Sequence, residues 1–148
     1  MDSNDREANY KENSKQKYTF PNGLPGFENK KLYFLKPHNE VFSLLSAADD
    51  ERITFITVNP FDFYPGYEFV LPDDAIELLK IQHREQVVVR CIVTWHSDRR
   101  QSTVNLLAPL VLNSDTLTGK QIVLQNSTYT TKEPLWNEDH AIDQGGGI

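Results

Sequence analysis

The sequence has few of the features that mark membrane, secreted or metal-binding proteins. It contains a single cysteine, Cys91, so no disulfide can form within the chain and a reducing compartment is expected. The sequence contains no run of 18 apolar residues, so it predicts no membrane-spanning helix. The polar N-terminus lacks the apolar segment of a secretory signal. The four histidines are far apart, without zinc-ligand spacing. We therefore expect a cytoplasmic protein with no metal site and no membrane partner.

Motifs of nucleotide-binding and hydrolytic enzymes are also missing. There is no G-x-x-x-x-G-K-[ST] phosphate loop and no G-x-G-x-x-G fingerprint. The run His96-Ser97-Asp98 contains the residue types of a catalytic triad, but neighbouring residues of a strand point to opposite sides. We interpret this run as a turn. The sequence predicts no catalytic residue, no cofactor-binding residue and no enzymatic activity.

Negative charge is concentrated in one part of the chain. The whole sequence carries a formal charge of −6, yet residues 40–77 hold nine carboxylates and one base, Arg52, and so carry −8, which leaves +2 for the remainder. Such a segment can be a solvated surface. It can also be an acidic face that attracts a basic protein and repels nucleic acid, because a local field raises association rates and sets selectivity. We expect no direct nucleic-acid partner.

The central part of the chain is rich in Val, Ile, Thr, Phe and Tyr, which favour strands. Turn residues separate the apolar runs, and Thr118-Gly119 is interpreted as one of these turns. Residues 1–17 and 136–148 are polar or glycine-rich and are predicted to be mobile tails around a β domain at 18–135. The predicted strands are Lys31–Lys36, Val41–Ala47, Arg52–Val58, Tyr67–Val70, Gln86–His96, Leu110–Asn113 and Gln121–Gln125.

Side-chain alternation indicates which strand faces are buried. In Gln86–His96 the odd positions are apolar, which predicts joint burial of Val87, Val89, Cys91, Val93 and Trp95. In Arg52–Val58 the apolar parity changes between Phe55 and Ile56. Either both faces of this strand are covered, or a β-bulge lies near these two residues.

One helix is predicted, over 72–81. Pro72, Asp73 and Asp74 suit the start of a helix, and the two carboxylates favour its positive end. Ile76 and Leu79 could seat the helix on the sheet. The fold class that follows is all-β and mainly antiparallel, a curled or barrel-like sheet with one short helix.

Three segments combine prolines with aromatic residues or asparagines. They are Phe20-Pro-Asn-Gly-Leu-Pro-Gly-Phe27, Asn59-Pro-Phe-Asp-Phe-Tyr-Pro-Gly-Tyr67 and Asn105-Leu-Leu-Ala-Pro-Leu-Val-Leu-Asn113. Their aromatics can plug the ends of a barrel, or they can form a recognition surface on a rigid loop. Composition alone leaves both alternatives open.

These three segments, followed by Gly119-Lys-Gln-Ile-Val-Leu124, Tyr129 and Glu133-Pro-Leu135, resemble the FliW family of bacterial flagellar assembly factors in order and spacing. The resemblance spans residues 18–135. Members of that family usually have a first strand ahead of the Phe-Pro segment, whereas here the polar stretch 1–16 has no strand composition. The edge of the sheet is therefore expected to be incomplete or formed differently.

The resemblance implies a small binding protein that is a monomer when free. FliW-like proteins bind flagellin and, in many bacteria, the basic translational regulator CsrA, which silences flagellin mRNA; flagellin and CsrA are the partners expected here. Competition between the two would match flagellin synthesis to export by mass action. The residues predicted to contact partners are the acidic run Asp49, Asp50 and Glu51, and the set Asn59, Pro60, Phe61, Phe63, Tyr64, Tyr67 and Asn105. The acidic run is expected to be a three-residue turn between two strands that projects into solvent.

Two other classes of function remain as alternatives. A small-molecule-binding β-barrel would require a large internal cavity instead of a core filled by side chains. An enzyme hidden in an all-β fold would require titratable groups that converge in a pocket.

Overall fold

The computed structural model describes residues 15–136, so most of both predicted tails lies outside the described residues. This part of the chain forms nine strands, one α-helix and three short 3₁₀ turns. The helix α1 is Asp73–Leu78, and the 3₁₀ turns are Pro60–Asp62, Arg84–Gln86 and Arg99–Gln101. The strands are β1 Gln16–Thr19, β2 Leu32–Pro37, β3 Phe42–Ala47, β4 Asp50–Val58, β5 Val87–Thr94, β6 Thr103–Val104, β7 Leu110–Asn113, β8 Thr118–Gln121 and β9 Glu133–Pro134.

Seven of the strands close into a barrel. The order around the ring is β4-β3-β2-β1-β8-β7-β5, and pairing of β4 with β5 closes it. Strand β6 pairs with the end of β5, and β9 pairs with β6. All pairs are antiparallel except β1–β8, which are parallel and meet at Thr19 and Thr118. The predicted all-β, mainly antiparallel, barrel-like fold with one short helix is confirmed.

The interior of the barrel is filled by side chains. Tyr33 lies edge-on against Phe20, with ring centroids 5.2 Å apart, and neither residue has exposed surface. Gly119 on β8 lies so close to Phe20 and Leu112 that an added Cβ would come within 2.6 Å of Leu112 Cδ2 and 2.7 Å of the Phe20 ring. This is a packed structural core, the opposite of the open lumen that a small-molecule-binding barrel needs. The other buried members are Tyr18, Leu24, Leu35, Leu45, Ala47 and Leu110.

A second core lies on the outer face of β4 and β5. Val89, Cys91 and Val93 are buried there as predicted, and Val87 is half-buried. Trp95 was predicted to be buried with them, and this is wrong: it is 46% exposed. It lies just after Thr94, the last residue of β5, and its ring lies edge-on against that of Phe42, with ring centroids 5.7 Å apart.

The helix packs against Val111 on β7 and against Ile122, which follows the last residue of β8. Ala75 in the helix and Leu79 just after it are buried in this small core, whereas Ile76 is only half-buried. The helix is shorter than the predicted 72–81, because it ends at Leu78 and Lys80 has a left-handed backbone (φ 55°). Pro72 occupies the N-cap position, and no side chain caps the helix.

Several predicted strand boundaries are wrong. Strand β1 begins at Gln16, inside the stretch that lacks strand composition, and β6 and β9 were not predicted. Thr118-Gly119 was interpreted as a turn but begins β8, which ends at Gln121 instead of continuing to Gln125. Residues 67–70 belong to no strand.

Strand β4 has both faces covered, which decides between the two alternatives for its changing parity. Phe55 packs on the barrel interior, and Ile56 and Val58 pack on the outer core. The register shift with β3 lies nearer the hairpin, where Ser46 pairs with Thr54 but Ala47 pairs with Asp50. No irregularity is found at Phe55–Ile56, because both residues keep continuous pairing with β3.

Candidate functional site

The segment 59–67 forms a rigid turn at the end of β4. The Asn59 side chain begins the 3₁₀ turn, because its Oδ1 accepts the Phe61 N–H at 3.0 Å. Pro60 is buried, and its carbonyl oxygen accepts the N–H groups of Phe63 at 3.1 Å and Tyr64 at 2.8 Å. An asparagine cap followed by proline fixes the backbone locally. The side chains of this turn therefore have defined positions.

The four aromatic residues of the turn have different environments. Phe63 is buried and lies edge-on to Trp136, with centroids 5.6 Å apart, and Tyr67 is buried as well. Tyr64 is half-buried and donates its hydroxyl hydrogen to the carbonyl oxygen of Pro134. Phe61 is 41% exposed, and its ring lies 5.8 Å from that of Tyr67. Of the four, Phe61 is the one available to a partner.

Tyr67 connects the turn to the segment that contains Asn105. Its hydroxyl donates to the Leu106 carbonyl oxygen at 2.8 Å. Burial raises the pKa of Tyr67 well above its usual value, and burial also raises the pKa of the neighbouring Cys91 thiol to about 12. Asn105 Oδ1 accepts the Ala108 N–H at 2.9 Å, so the predicted partner-binding residue Asn105 holds a turn together.

The acidic run lies at the opposite end of β4. Asp50 and Glu51 are part of the strand, not of a projecting three-residue turn as predicted, and Asp50 is only partly exposed. Asp49 pairs with Lys30 (3.1 Å, Nζ to Oδ2), and Asp50 pairs with Arg52 (2.9 Å, Nε to Oδ1). The hydrogen bond from Arg52 lowers the pKa of Asp50.

The two sets of predicted contact residues do not form one site. Asp50 is the first residue of β4, and Asn59 follows its last residue, Val58. Nine residues of extended strand cover roughly 30 Å at about 3.3 Å each. Within the described residues Glu51 has no ion-pair partner, so it is the carboxylate of the acidic run whose charge is least compensated.

A groove that the sequence did not indicate lies between residues 68–72 and 123–129. Its volume is about 440 Å³. Val70 on one wall is 88% exposed, and Val123 on the other is 55% exposed. Residues in both walls have the composition of strands and were predicted as parts of two strands, but they form no paired strand beyond Gln121. This mismatch is the feature of the sequence that could have indicated the groove.

Residues 15–136 contain no cluster of three or more His, Cys, Asp or Glu side chains that could hold a metal ion. In the same region no helix is both long and apolar enough to cross a membrane.

Comparison with known proteins decides the family. The family model described as FliW protein matches residues 3–135. The chain belongs to the FliW family. The flagellar assembly factor FliW of Clostridium novyi is 42% identical over 121 residues, which cover 80% of this chain and 85% of that protein. The Bacillus subtilis and Bacillus licheniformis proteins of the same name are 40% and 38% identical and cover 80% and 83% of this chain, and 85% and 87% of their own lengths.

A crystal structure of the flagellar assembly factor FliW has the same fold. It superimposes with a TM-score of 0.81 at 32% identity, covering 83% of this chain and 87% of that chain. The resemblance drawn from the sequence motifs is confirmed by both comparisons. The curated FliW relatives are named as assembly factors and not as enzymes. The individual contact residues stay predictions.

Proposed function

We propose that this FliW-family chain is a flagellar assembly factor that binds flagellin in the cytoplasm and, by partner switching, antagonises the translational repressor CsrA. Flagellin synthesis would then match export. The names of the curated relatives support the assembly role. The observation that carries the proposal within the chain is the exposure of Phe61 on a turn that its neighbours hold fixed.

The turn provides the features of a binding hot spot. Phe61 offers an aromatic surface at little entropic cost, because Asn59 and the buried Pro60 hold the backbone. Tyr67 lies against the Phe61 ring, and both Phe63 and Tyr67 are buried in the core. Flagellin monomers carry amphipathic terminal helices whose apolar faces are covered only in the filament, and such a face fits an exposed aromatic residue.

The acidic end of β4 suits a basic regulator. Glu51 projects its carboxylate into solvent, and Asp49 adds a second exposed charge that Lys30 partly compensates. RNA-binding proteins are basic on their working surface, so this end of the barrel would attract CsrA mainly by speeding up encounter.

A displacement experiment tests the partner switch. Fluorescently labelled CsrA is bound to the full chain, and monomeric flagellin is added while anisotropy is recorded. We expect flagellin to release labelled CsrA, with a half-effect concentration that rises for the Phe61→Ala variant. A stable complex of all three proteins, seen by size-exclusion chromatography with light scattering, would show that binding is not competitive and would overturn partner switching.

A further inference from the structure

Residues 122–125 continue the chain beyond the end of β8, and among the described residues their N–H groups are hydrogen-bonded on one side only. The N–H groups of Ile122 and Leu124 donate to the carbonyl oxygens of Pro109 and Leu107, both at 2.9 Å. In an extended chain, successive N–H groups point to opposite sides. The N–H groups of Val123 and Gln125 therefore point away from Leu107 and Pro109. Asn126 then ends the extended stretch with a left-handed backbone (φ 55°).

The outward-facing donors of this edge have no protein partner in the part of the chain that the structure describes. No hydrogen bond is found for the N–H of Val123 or of Gln125. The Val123 carbonyl oxygen accepts only a long bond, 3.3 Å, from the side chain of Gln125. An unpaired edge of this kind is a template for pairing with an added strand.

The opposite wall of the groove belongs to no strand, and part of its backbone is unpaired as well. Glu68 donates its N–H to the Tyr129 hydroxyl at 3.3 Å, but within residues 15–136 no hydrogen bond is found for the N–H groups of Phe69 and Val70. Val70 and Val123 each expose most of an aliphatic side chain at this groove. Apolar side chains and free backbone groups therefore line the same groove, as in peptide-binding sites that work by strand addition.

Charge indicates which peptide would fit. Among the described residues that line the groove, Glu68 is the only one with a charge. Pro72 at its end leads directly into Asp73 and Asp74, which are both exposed. A groove with a carboxylate rim and no cation favours Lys or Arg side chains next to aliphatic ones.

We propose that the edge at residues 122–125 accepts, by strand addition, an extended segment of a partner protein in which Lys or Arg side chains alternate with aliphatic residues. The main chain of that segment pairs with Val123 and Gln125. Its aliphatic side chains contact Val70 and Val123, and its cations lie near Glu68. The residues that line this groove include neither Phe61 nor a member of the acidic run, so the inference does not depend on the proposed function.

The test uses the full chain and a defined probe. The probe is an acetylated and amidated octapeptide of alternating lysine and valine, titrated against the protein with amide hydrogen exchange recorded by NMR. At saturation, exchange of the Val123 and Gln125 amides is expected to slow at least tenfold. A peptide with the same side chains but with alternate backbone nitrogens methylated controls for strand pairing, and we expect it not to protect these amides. Equal binding of both peptides, or binding without this protection, would overturn the proposal.

A charge variant adds an independent measurement. Glu68→Gln is expected to weaken binding of the lysine–valine peptide about threefold at low salt, whereas the matched variant Glu85→Gln, an exposed carboxylate away from the groove, is expected to leave affinity unchanged. The same weakening in both variants would show attraction by net charge alone, and the groove would then not be the site.

Discussion

The hydroxyl group of Tyr67 donates a hydrogen bond to the carbonyl oxygen of Leu106, 2.8 Å away and 39 residues further along the chain. Both atoms are buried, and the bond joins the aromatic turn after β4 to the loop before β7. This single contact therefore ties two distant loops together. Its loss is expected to destabilise the fold, because a buried carbonyl that loses its donor keeps its desolvation cost.

We predict that Tyr67→Phe lowers the free energy of unfolding by about 1–3 kcal/mol, because the Leu106 carbonyl loses its partner while the ring stays in place. Urea unfolding measures the change. The control is Tyr129→Phe, whose hydroxyl accepts a longer bond of 3.3 Å from an exposed residue, and we expect a smaller loss. Equal losses of unfolding free energy in the two variants would show that the bond from Tyr67 contributes no more to stability than the bond to Tyr129.

Two substitutions in the aromatic turn are expected to affect different quantities, one the affinity for flagellin and the other the stability of the fold. Phe61→Ala is expected to weaken flagellin binding by about 1–3 kcal/mol with a smaller effect on stability than a buried aromatic residue, because Phe61 is 41% exposed. Phe63→Ala is expected to lower stability by about 3–5 kcal/mol, because its ring is buried against Trp136. Calorimetry and urea unfolding give the two quantities. Unchanged affinity of Phe61→Ala for flagellin would place that site elsewhere.

Charge changes in the acidic run should alter association with CsrA in both directions. Replacing Asp49 and Asp50 by Asn, and Glu51 by Gln, is expected to slow association at low salt. The loss should shrink as salt rises, since charges are screened over about 8 Å at physiological ionic strength. Arg52→Gln frees the charge of Asp50 and is expected to speed association by about two- to threefold.

Stopped-flow measurements at low and high salt give these rates. Lys132→Gln is the matched control for Arg52→Gln, because it removes one exposed positive charge far along the sequence from the hairpin. If Lys132→Gln has the same effect, net charge and not the acidic run governs capture. Equal rates for the triple variant and the wild type at low salt would exclude the acidic run from the interaction.

We expect that adding a single methyl group at Gly119 destabilises the fold. A Cβ there would lie 2.6 Å from Leu112 and 2.7 Å from Phe20, both fully buried in the barrel, so Gly119→Ala should lower stability by about 1–3 kcal/mol. Gly66→Ala is the control, because an added Cβ meets no atom within 4 Å. A neutral Gly119→Ala in thermal unfolding would contradict the tight packing of the barrel interior.

Stability is expected to fall in alkaline solution. Burial raises the pKa of Cys91 from its ordinary 9.0 to about 12, so between these values the thiol ionises in the unfolded chain but not in the native one. Ionisation then favours the unfolded state, and stability present below about pH 9 is progressively lost as the pH rises. Urea unfolding at pH 8 to 10.5 should show a shallower decline for Cys91→Ala than for the wild type. Parallel declines would assign the loss to other groups.

Sequence patterns predicted the parts of the fold in which local and tertiary requirements agree. Alternation along β5 correctly placed Val89, Cys91 and Val93 in the core, because these residues pack together in the second core. It failed at Trp95, which lies one residue beyond the end of β5, because alternation along the sequence does not show where a strand ends. Gly119 was interpreted as a turn residue, although what requires glycine there is the approach of Phe20 and Leu112 from distant strands.

The candidate site shows the same division. The sequence marked the aromatic turn, but only packing distinguishes the exposed Phe61 from the buried Phe63 and Tyr67. The acidic run was visible as a local excess of carboxylates. Its partial neutralisation by Lys30, 19 residues before Asp49, was not, because that partner is brought near by the pairing of β2 with β3.

The pairing of Thr19 with Thr118 has a consequence for synthesis on the ribosome. Strands β1 to β4 form consecutive antiparallel pairs and can meet early, but the ring lacks its other half until β5, β7 and β8 have been made. A nascent chain therefore holds an open sheet with an apolar inner face until almost the whole domain has left the exit tunnel. Because contacts between distant strands form slowly, this interval is when premature association with other nascent chains is most damaging.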